Sequence, residues 1–247
     1  YGGAVAMQSS LEELEAKCAA ARIAARALAK TPGVAKEKTL SLIADGLMAR
    51  QEEVLSANEA DLQAARAEGL SDASMDRLLL NPQRLEALSE DVRRVAALAD
   101  PISETFDARQ LPNGLRVGKR RVPIGVIGVV YESRPNVTID IAALCLKSGN
   151  AVVLRGGSEA FRTNLALATL VRDSLAEAGL PREAVAFVES TDRALVGHML
   201  KLRDKIDLIV PRGSAGLVRR VAAEATMPAI TGGIGVCHAY VDKAADL

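Results

Sequence analysis

The stretch of sequence that decides the fold is Val-Pro-Ile-Gly-Val-Ile-Gly-Val-Val at residues 122–130, followed by Tyr-Glu-Ser-Arg-Pro-Asn at residues 131–136. The first nine residues are largely β-branched and apolar on both faces, which is typical of a strand buried on both sides of a parallel sheet. Residues 151–154, Ala-Val-Val-Leu, form a shorter copy. Residues 137–147 between them have helical spacing, so the three segments predict one strand–helix–strand unit.

Strands and helices continue to alternate after this unit. We predict helices at 160–178, 195–202 and 217–224, and strands at 185–188, 206–210 and 227–230. This alternation with short loops predicts an α/β fold built on a doubly wound, parallel, five-stranded sheet. Residues 122–230 form the α/β domain in this interpretation. A further strand at 236–241 follows a glycine stretch, and we expect residues 231–247 to be the truncated start of another domain.

The N-terminal region, residues 8–103, has a helical pattern and little strand signal. Apolar residues recur every three or four positions, as in Leu11, Leu14 and Cys18, which is the mark of a buried helix face. Asn58 and the pair Asn81-Pro82 are candidate helix N-caps. The region is expected to form a helical layer on the sheet, although an independent partner-binding module fits the same pattern. Residues 1–7 are interpreted as an added leader, with a natural start at Met7.

Residues 104–121 differ from both neighbouring regions. Pro112-Asn113-Gly114 is a strong turn signal between two short extended stretches, which predicts a β-hairpin. The hairpin is rich in Arg and Lys. We expect an edge or assembly element whose charges face solvent.

Composition excludes several classes of protein. Aromatic residues make up 2% of the chain, with no Trp, and the 31 Lys and Arg balance 31 Asp and Glu, so a nucleic-acid binder is disfavoured. No apolar run approaches the roughly 18–20 residues that span a bilayer. Three widely spaced Cys indicate reduced, buried thiols in a cytosolic protein. With only two His, no spacing indicates a metal site.

Two glycine-bearing turns follow predicted strands and precede helices. Because ligands of open α/β sheets bind beyond the carboxyl ends of strands, we expect these turns to hold the phosphates of a nucleotide. Glycine turns needed only for packing are the alternative. The G-x-G-x-x-G fingerprint is absent after the first strand, which disfavours an ordinary Rossmann dehydrogenase. The candidate cofactor-binding residues are Arg155, Gly156, Gly157 and Ser158 in the first turn, and Gly213 and Ser214 in the second.

A third candidate loop carries Arg134-Pro135-Asn136. An arginine can bind a carboxylate or phosphate of a substrate, and an asparagine N–H can stabilise a developing oxyanion. The alternative is that Asn136 is only a helix N-cap. Cys237 and His238 are adjacent, but neighbours on a strand point to opposite faces, so we interpret Cys237 as a buried structural residue.

The motifs at residues 121–136, 145–157, 209–214 and 230–238 carry a family resemblance. From about residue 11 to its end, the chain resembles the N-terminal part of the gamma-glutamyl phosphate reductases, a family of the aldehyde dehydrogenase superfamily. The resemblance implies an aldehyde dehydrogenase-like NADP-binding domain. It also implies NADPH-dependent reduction of L-glutamyl 5-phosphate to L-glutamate 5-semialdehyde in proline biosynthesis, with release of phosphate, through a cysteine thioester.

Residue roles follow from the same resemblance. Arg155 to Ser158 and Gly213-Ser214 fall where the superfamily holds the cofactor, and Asn136 falls near its oxyanion-stabilising amide. The hairpin at 104–121 falls at its oligomerisation strands, so a homo-oligomer is expected. Association with glutamate 5-kinase and a cytoplasmic location are expected as well, with no nucleic-acid or membrane partner.

Three departures from the superfamily pattern are informative. Thr231 replaces the glutamate that activates water in hydrolytic aldehyde dehydrogenases, which suits an enzyme whose thioester must not be hydrolysed. Ser158 replaces a carboxylate that NAD-preferring relatives carry, which leaves room beside Arg155 for a 2′-phosphate. No cysteine matches the family's nucleophile, so we expect this chain to bind cofactor without turnover. A stand-alone nucleotide-binding or interaction module, or another acyl-phosphate or acyl-CoA reductase, remains an alternative.

Overall fold

Helices account for nearly all of the chain up to residue 97. The structure is a computed structural model that describes residues 2–102, 104–232 and 238–245. The N-terminal part of these residues forms α1 (Gly2–Leu28), α2 (Gly33–Ala49), α3 (Gln51–Ala67), α4 (Asp72–Leu78) and α5 (Pro82–Ala97). The prediction that this region is helical is confirmed, and α1 begins within the residues that we interpret as a leader.

One of the two predicted N-caps is confirmed and the other is wrong. Asn81 caps α5, because its Oδ1 accepts a hydrogen bond of 2.8 Å from the backbone N of Arg84. Asn58 instead lies in the middle of α3 and is buried. Its Nδ2 donates to the carbonyl O of Leu78 at 2.9 Å, and its Oδ1 accepts from the N of Leu80 at 2.8 Å. The side chain therefore satisfies the backbone between α4 and α5, a distant partner that no local pattern around Asn58 indicates.

The predicted hairpin is confirmed. Strands β1 (Thr105–Gln110) and β2 (Arg116–Arg120) pair antiparallel and form a two-stranded sheet of their own. The turn between them contains Gly114, which has a φ of 88°. Most residues of both strands are exposed.

The main sheet contains four parallel strands within the described residues: β3 (Val126–Tyr131), β4 (Ala151–Arg155), β5 (Val185–Phe187) and β6 (Leu208–Arg212), in the order β5-β4-β3-β6. The connecting and flanking helices are α6 (Asn136–Lys147), α7 (Phe161–Glu177), α8 (Ala194–Met199) and α9 (Ala215–Glu224). β3 is paired on both sides and buried at every position. The chain moves from β3 through β4 to β5 and then crosses to the other side of β3 to form β6. The α/β class and the parallel sheet are confirmed.

The number of strands differs from the prediction. Residues 227–230, predicted as a fifth strand, contribute one isolated parallel bridge between Ile209 and Ala229. Pro228 lies in this segment and has no N–H to donate to a ladder, which limits the pairing. Of the strand predicted at 236–241, residues 236 and 237 lie outside the described residues, and residues 238–241 are in no strand.

The N-terminal helices and the sheet share one hydrophobic core. A single cluster of buried residues includes Leu14 of α1, Leu40 of α2, Leu88 of α5 and Val129 of β3. The helices therefore pack as a layer on the α/β part, as predicted, and do not form an independent module. No helix in the described stretches is both long and apolar enough to cross a membrane.

Candidate functional site

A cavity of about 480 Å³ opens at the carboxyl ends of the parallel strands. Its walls come from the end of β3, the turn after β4 and the first turns of α9. It lies where the chain order reverses between β3 and β6, and this switch point is where open α/β sheets bind ligands. This strand-end cavity is lined by Val130, Tyr131, Glu132, Ser133, Arg155, Gly157, Ser158, Glu159, Arg193, Gly216, Leu217 and Arg220, with Glu68, Leu70, Ser74 and Val196.

The structure brings the two glycine-bearing turns to this one cavity. Arg155, Gly157 and Ser158 line it directly, and the second turn contributes Gly216. Ser214 is joined to the cavity wall through Glu132, whose carboxylate accepts its backbone N–H at 2.7 Å. The two turns do not follow neighbouring strands of the sheet. They follow β4 and β6, and β3 lies between these two strands.

Arg155 is a buried cation with an unused donor. The residue is 7% exposed, and its Nη2 donates to the carbonyl O of Thr191 at 3.0 Å. Its buried Nε has no hydrogen-bond partner among the described residues. Burial lowers the pKa of the guanidinium, Glu159 raises it and Arg193 lowers it further. An anion in the cavity would offset both the burial and the neighbouring positive charge.

Two carboxylates occupy the space beside the glycines. Glu132 accepts from the N and Oγ of Ser214, at 2.7 and 3.3 Å, and Glu159 accepts from the N of Ser133 at 2.6 Å. A Cβ atom added at Gly213 would overlap the Glu132 carboxylate, and one at Gly157 would overlap that of Glu159. In this structure the space beside the two glycines is therefore filled by carboxylates of the protein itself. A phosphate that binds the N–H of Ser214 must displace Glu132.

Sequence reasoning missed Arg193 and Arg220 as cavity residues. Arg193 follows β5, so inspection of every predicted strand end would have found it. Arg220 lies in α9 six residues after Ser214, and only the orientation of that helix brings it to the cavity. Gly156 and Gly213, in contrast, do not line the cavity, and Gly156 packs against the buried Asn164.

Arg134 and Asn136 lie in a second cavity of about 350 Å³. This helix-side cavity is formed with α4, α5 and their connection, and its lining is Asp76, Arg77, Leu79, Leu80, Arg84, Ala87, Leu88, Asp91, Arg134 and Asn136. The loop after β3 divides the two cavities, with Glu132 and Ser133 on the strand-end side. Ser133 has a φ of 59°, a left-handed conformation that turns the chain between the two sides.

Asn136 is the first residue of α6, and the N-cap position is Pro135. The alternative that Asn136 serves as an N-cap is therefore wrong. Its Nδ2 donates to Oδ2 of Asp140 at 3.0 Å, which orients the carboxamide. No other side-chain partner of Asn136 occurs among the described residues. Its remaining N–H is available to a ligand in the helix-side cavity.

Asp140 makes the stability of the protein depend on pH. Burial, followed by the charge of Asp91, raises the pKa of this carboxyl from 3.8 to about 6, although the Asn136 hydrogen bond opposes the shift. The folded state favours the neutral carboxyl. The stability that depends on this group is therefore fully present below pH 3.8 and is lost as the pH rises through about 6. A pKa shift of this size corresponds to a change of at most about 3 kcal/mol in the free energy of unfolding. Solvent screening at this half-buried site reduces that change to about 1–2 kcal/mol.

We therefore expect Asp140→Asn to raise the free energy of unfolding by about 1–2 kcal/mol at pH 7.5 and to have little effect at pH 4. Urea unfolding of both proteins across this range measures the difference. Asp204→Asn, at an aspartate whose side chain is 70% exposed, is the matched control and should show no such trend. A gain for Asp140→Asn that is equal at both pH values would contradict the assignment.

The two described free cysteines lie in surroundings that disfavour the thiolate form. Cys18 and Cys145 are both buried, and burial raises the pKa of each thiol to about 12. A thiolate, which is the reactive form, is therefore scarce at neutral pH. Cys237 lies outside the described residues. The described residues bring together no group of three or more His, Cys, Asp and Glu side chains suited to a metal ion.

Comparison with known proteins agrees with this arrangement. The sequence profile of the aldehyde dehydrogenase family matches residues 4–247. The chain is 54% identical to a gamma-glutamyl phosphate reductase of Roseiflexus castenholzii over 241 residues, which cover 97% of this chain and 56% of that protein. The chain thus spans about half the length of the curated relatives it matches.

Solved structures of similar proteins share the fold. A gamma-glutamyl phosphate reductase from Thermotoga maritima superposes with a TM-score of 0.89 at 41% identity, covering 95% of this chain and 56% of that one. The reductase of the same name from Saccharomyces cerevisiae gives 0.82 at 33% identity, covering 90% and 56%. The resemblance inferred from the motifs is confirmed. The chain belongs to the aldehyde dehydrogenase family.

Proposed function

We propose that the chain is the cofactor-binding part of an enzyme that reduces L-glutamyl 5-phosphate to L-glutamate 5-semialdehyde with NADPH, in proline biosynthesis. One observation carries this proposal: Arg155 and Gly216, which follow different strands, line one cavity at the switch point of a parallel sheet. The names of the relatives supply the reaction. The positions of Arg155 and Gly216 support their proposed role in binding the cofactor.

The residues of the strand-end cavity fit a polyanionic dinucleotide. Three guanidinium groups, those of Arg155, Arg193 and Arg220, line its walls. The buried Nε of Arg155 has a free donor, and arginine binds phosphate groups through paired N–H donors. The nicotinamide cofactor supplies a hydride to the substrate when it is bound. The protein's part is to hold the phosphates and to orient the carboxamide of Asn136 in the neighbouring cavity.

The proposed cysteine chemistry proceeds in two stages. A thiolate attacks the acyl carbon, the bond to the phosphate oxygen breaks and inorganic phosphate leaves, which gives a thioester. Reduction of the thioester releases the aldehyde and restores the thiolate. Asn136 would donate its free N–H to the oxygen that gains negative charge, and Arg134 would bind an anionic group of the substrate. We infer that the thiolate is supplied by neither Cys18 nor Cys145.

The preference for NADPH rests on the charge around Arg155. Ser158, in the same turn, carries no charge that would repel a 2′-phosphate. The nearest carboxylate along the chain, Glu159, is bound to the N–H of Ser133. Arg193 adds a second guanidinium to the same cavity. A 2′-phosphate would therefore lie beside two guanidinium groups, from which an uncharged ribose hydroxyl gains less.

We expect the chain to bind NADPH at least tenfold more tightly than NADH, which corresponds to about 1.4 kcal/mol. Titration followed by nicotinamide fluorescence gives both dissociation constants. Arg193→Gln should bring the ratio of the constants closer to one. Arg26→Gln, at an exposed arginine of α1, is the matched control and should leave it unchanged. Equal or tighter binding of NADH would overturn the preference.

The partners and location of the protein are part of the proposal. The exposed hairpin at 104–121 would pair with another copy of the chain in a homo-oligomer, because both of its strands present unpaired edges. Association with glutamate 5-kinase would deliver the unstable acyl phosphate directly. We also propose a cytoplasmic location, which the pathway and the buried free cysteines Cys18 and Cys145 support.

A further inference from the structure

Two arginines of the helix-side cavity have no side-chain partner in the described part of the chain. Arg77 lies in the last turn of α4, and Arg134 lies in the loop between β3 and α6. Both line the cavity, and both are exposed. No ion pair or side-chain hydrogen bond of either guanidinium occurs among the described residues. Two elements that are distant in sequence thus present free cations to one space.

The other charged residues of the cavity are already paired. Arg84 forms an ion pair of 2.6 Å with Asp76, and it also donates to the carbonyl O atoms of Asp76 and Leu79. Asp91 forms an ion pair with Arg94 on α5. Each acid therefore has its own local arginine. The excess charge of the cavity is positive and comes from Arg77 and Arg134.

The size of the cavity limits what it can bind. At about 350 Å³ it lies near the lower end of the range of roughly 300–1,000 Å³ found for ligand sites. It suits a small metabolite better than a dinucleotide. An arginine binds a carboxylate or a phosphate bidentately, and two arginines suit a ligand with two anionic groups.

We infer that Arg77 and Arg134 together bind the anionic groups of the substrate in the helix-side cavity, so that Arg77 is a second substrate-binding residue. The inference rests on the proposed function, in which the substrate carries an α-carboxylate and a phosphate. It adds α4 to the substrate site, which the motifs had confined to the loop after β3. The same cavity holds the free N–H of Asn136, the group proposed to meet the reacting carbonyl.

A purely structural role for Arg77 would give a different result. A cation in the last turn of a helix interacts favourably with the free carbonyl groups there. Removal of that interaction would lower stability slightly and leave ligand binding unchanged. Ligand affinity therefore separates the two roles, provided that the fold is checked independently.

The test uses L-2-amino-5-phosphonopentanoate, a stable compound with an ammonium, a carboxylate and a phosphonate group. Binding to the chain is followed by NMR through the Nε–H signals of the arginines. We expect Arg77→Gln and Arg134→Gln each to weaken binding at least tenfold. Arg77→Lys should restore only part of the affinity, because lysine cannot bind an anion bidentately. Arg26→Gln, on the exposed face of α1, is the matched control.

Each outcome decides the inference. Failure of the wild-type chain to bind the phosphonate, or wild-type affinity in Arg77→Gln, would overturn it. NADPH titration of every variant checks that the strand-end cavity remains folded. Loss of phosphonate binding in Arg134→Gln alone would overturn the role of Arg77 and leave the proposed function intact. If the phosphonate binds in a way that depends on both arginines but NADPH does not bind, the proposed function is overturned and the role of Arg77 stands.

Discussion

Gly125→Ala is expected to destabilise the protein by about 3 kcal/mol or more. Gly125 precedes β3 and has a φ of 128°, a conformation that residues with a Cβ rarely adopt. An added Cβ would overlap Oδ2 of Asp207 and lie 3.0 Å from its Cγ. That Oδ2 accepts from the N of Val126 at 2.8 Å and from Nη1 of Arg22 at 2.6 Å. The substitution therefore strains the backbone and also displaces the carboxylate that anchors β3 and α1.

Gly114→Ala is the control that separates these two causes. Gly114 also has a positive φ, 88°, but no atom lies within 4 Å of its added Cβ. Its replacement costs only the left-handed conformation, about 1–2 kcal/mol. Urea unfolding of both variants measures the difference, which includes the cost of displacing the Asp207 carboxylate. Equal losses for the two variants would show that the carboxylate moves aside without cost.

Asp61→Ala is expected to cost about 3 kcal/mol. Asp61 of α3 is 2% exposed. One carboxylate oxygen accepts from the N and Oγ1 of Thr163 at 2.8 and 2.7 Å, and the other accepts from the N of Arg162 at 3.3 Å. Thr163 and Arg162 lie in the first turn of α7, where a negative charge is favourable. Alanine would leave the buried donors of Thr163 without this partner, close to the turn that carries Arg155 and Ser158.

Asp45→Ala provides the comparison for Asp61. Asp45 forms an ion pair of 2.5 Å with Arg93, but its side chain is 63% exposed, and such surface pairs contribute about 0–1 kcal/mol. Thermal or urea unfolding of both variants should show a large loss for Asp61→Ala and a small one for Asp45→Ala. Similar losses would mean that water replaces the buried hydrogen bonds of Asp61.

Local patterns in the sequence were sufficient for several elements. The apolar run before Tyr131 predicted a central parallel strand, because a strand covered on both faces has no need of polar residues. Asn81-Pro82 predicted a helix start, and Pro112-Asn113-Gly114 predicted a hairpin turn. In each case the residues that decide the structure are neighbours in the chain. The strand predicted at 227–230 is reduced to one bridge, because Pro228 limits its pairing.

Local sequence patterns do not identify long-range contacts. Asn58 looks like a helix cap, but its partners are the backbone groups of Leu78 and Leu80 and the hydroxyl of Thr163. The glycines at 157 and 213 were expected to admit phosphates, and they lie against Glu159 and Glu132. Both outcomes depend on which side chains arrive from elsewhere in the chain.

The sequence by itself determined the α/β class and the turns at strand ends, since apolar periodicity and glycine placement act within a few residues. Its motifs carried the family resemblance. Only the tertiary structure decided that Arg155 and Arg134 line different cavities, on the two sides of the loop after β3. It also brought Arg77 and Arg193 to those cavities. The physical reason is that a side chain's partners depend on how helices and strands pack, and packing joins residues that are far apart in the chain.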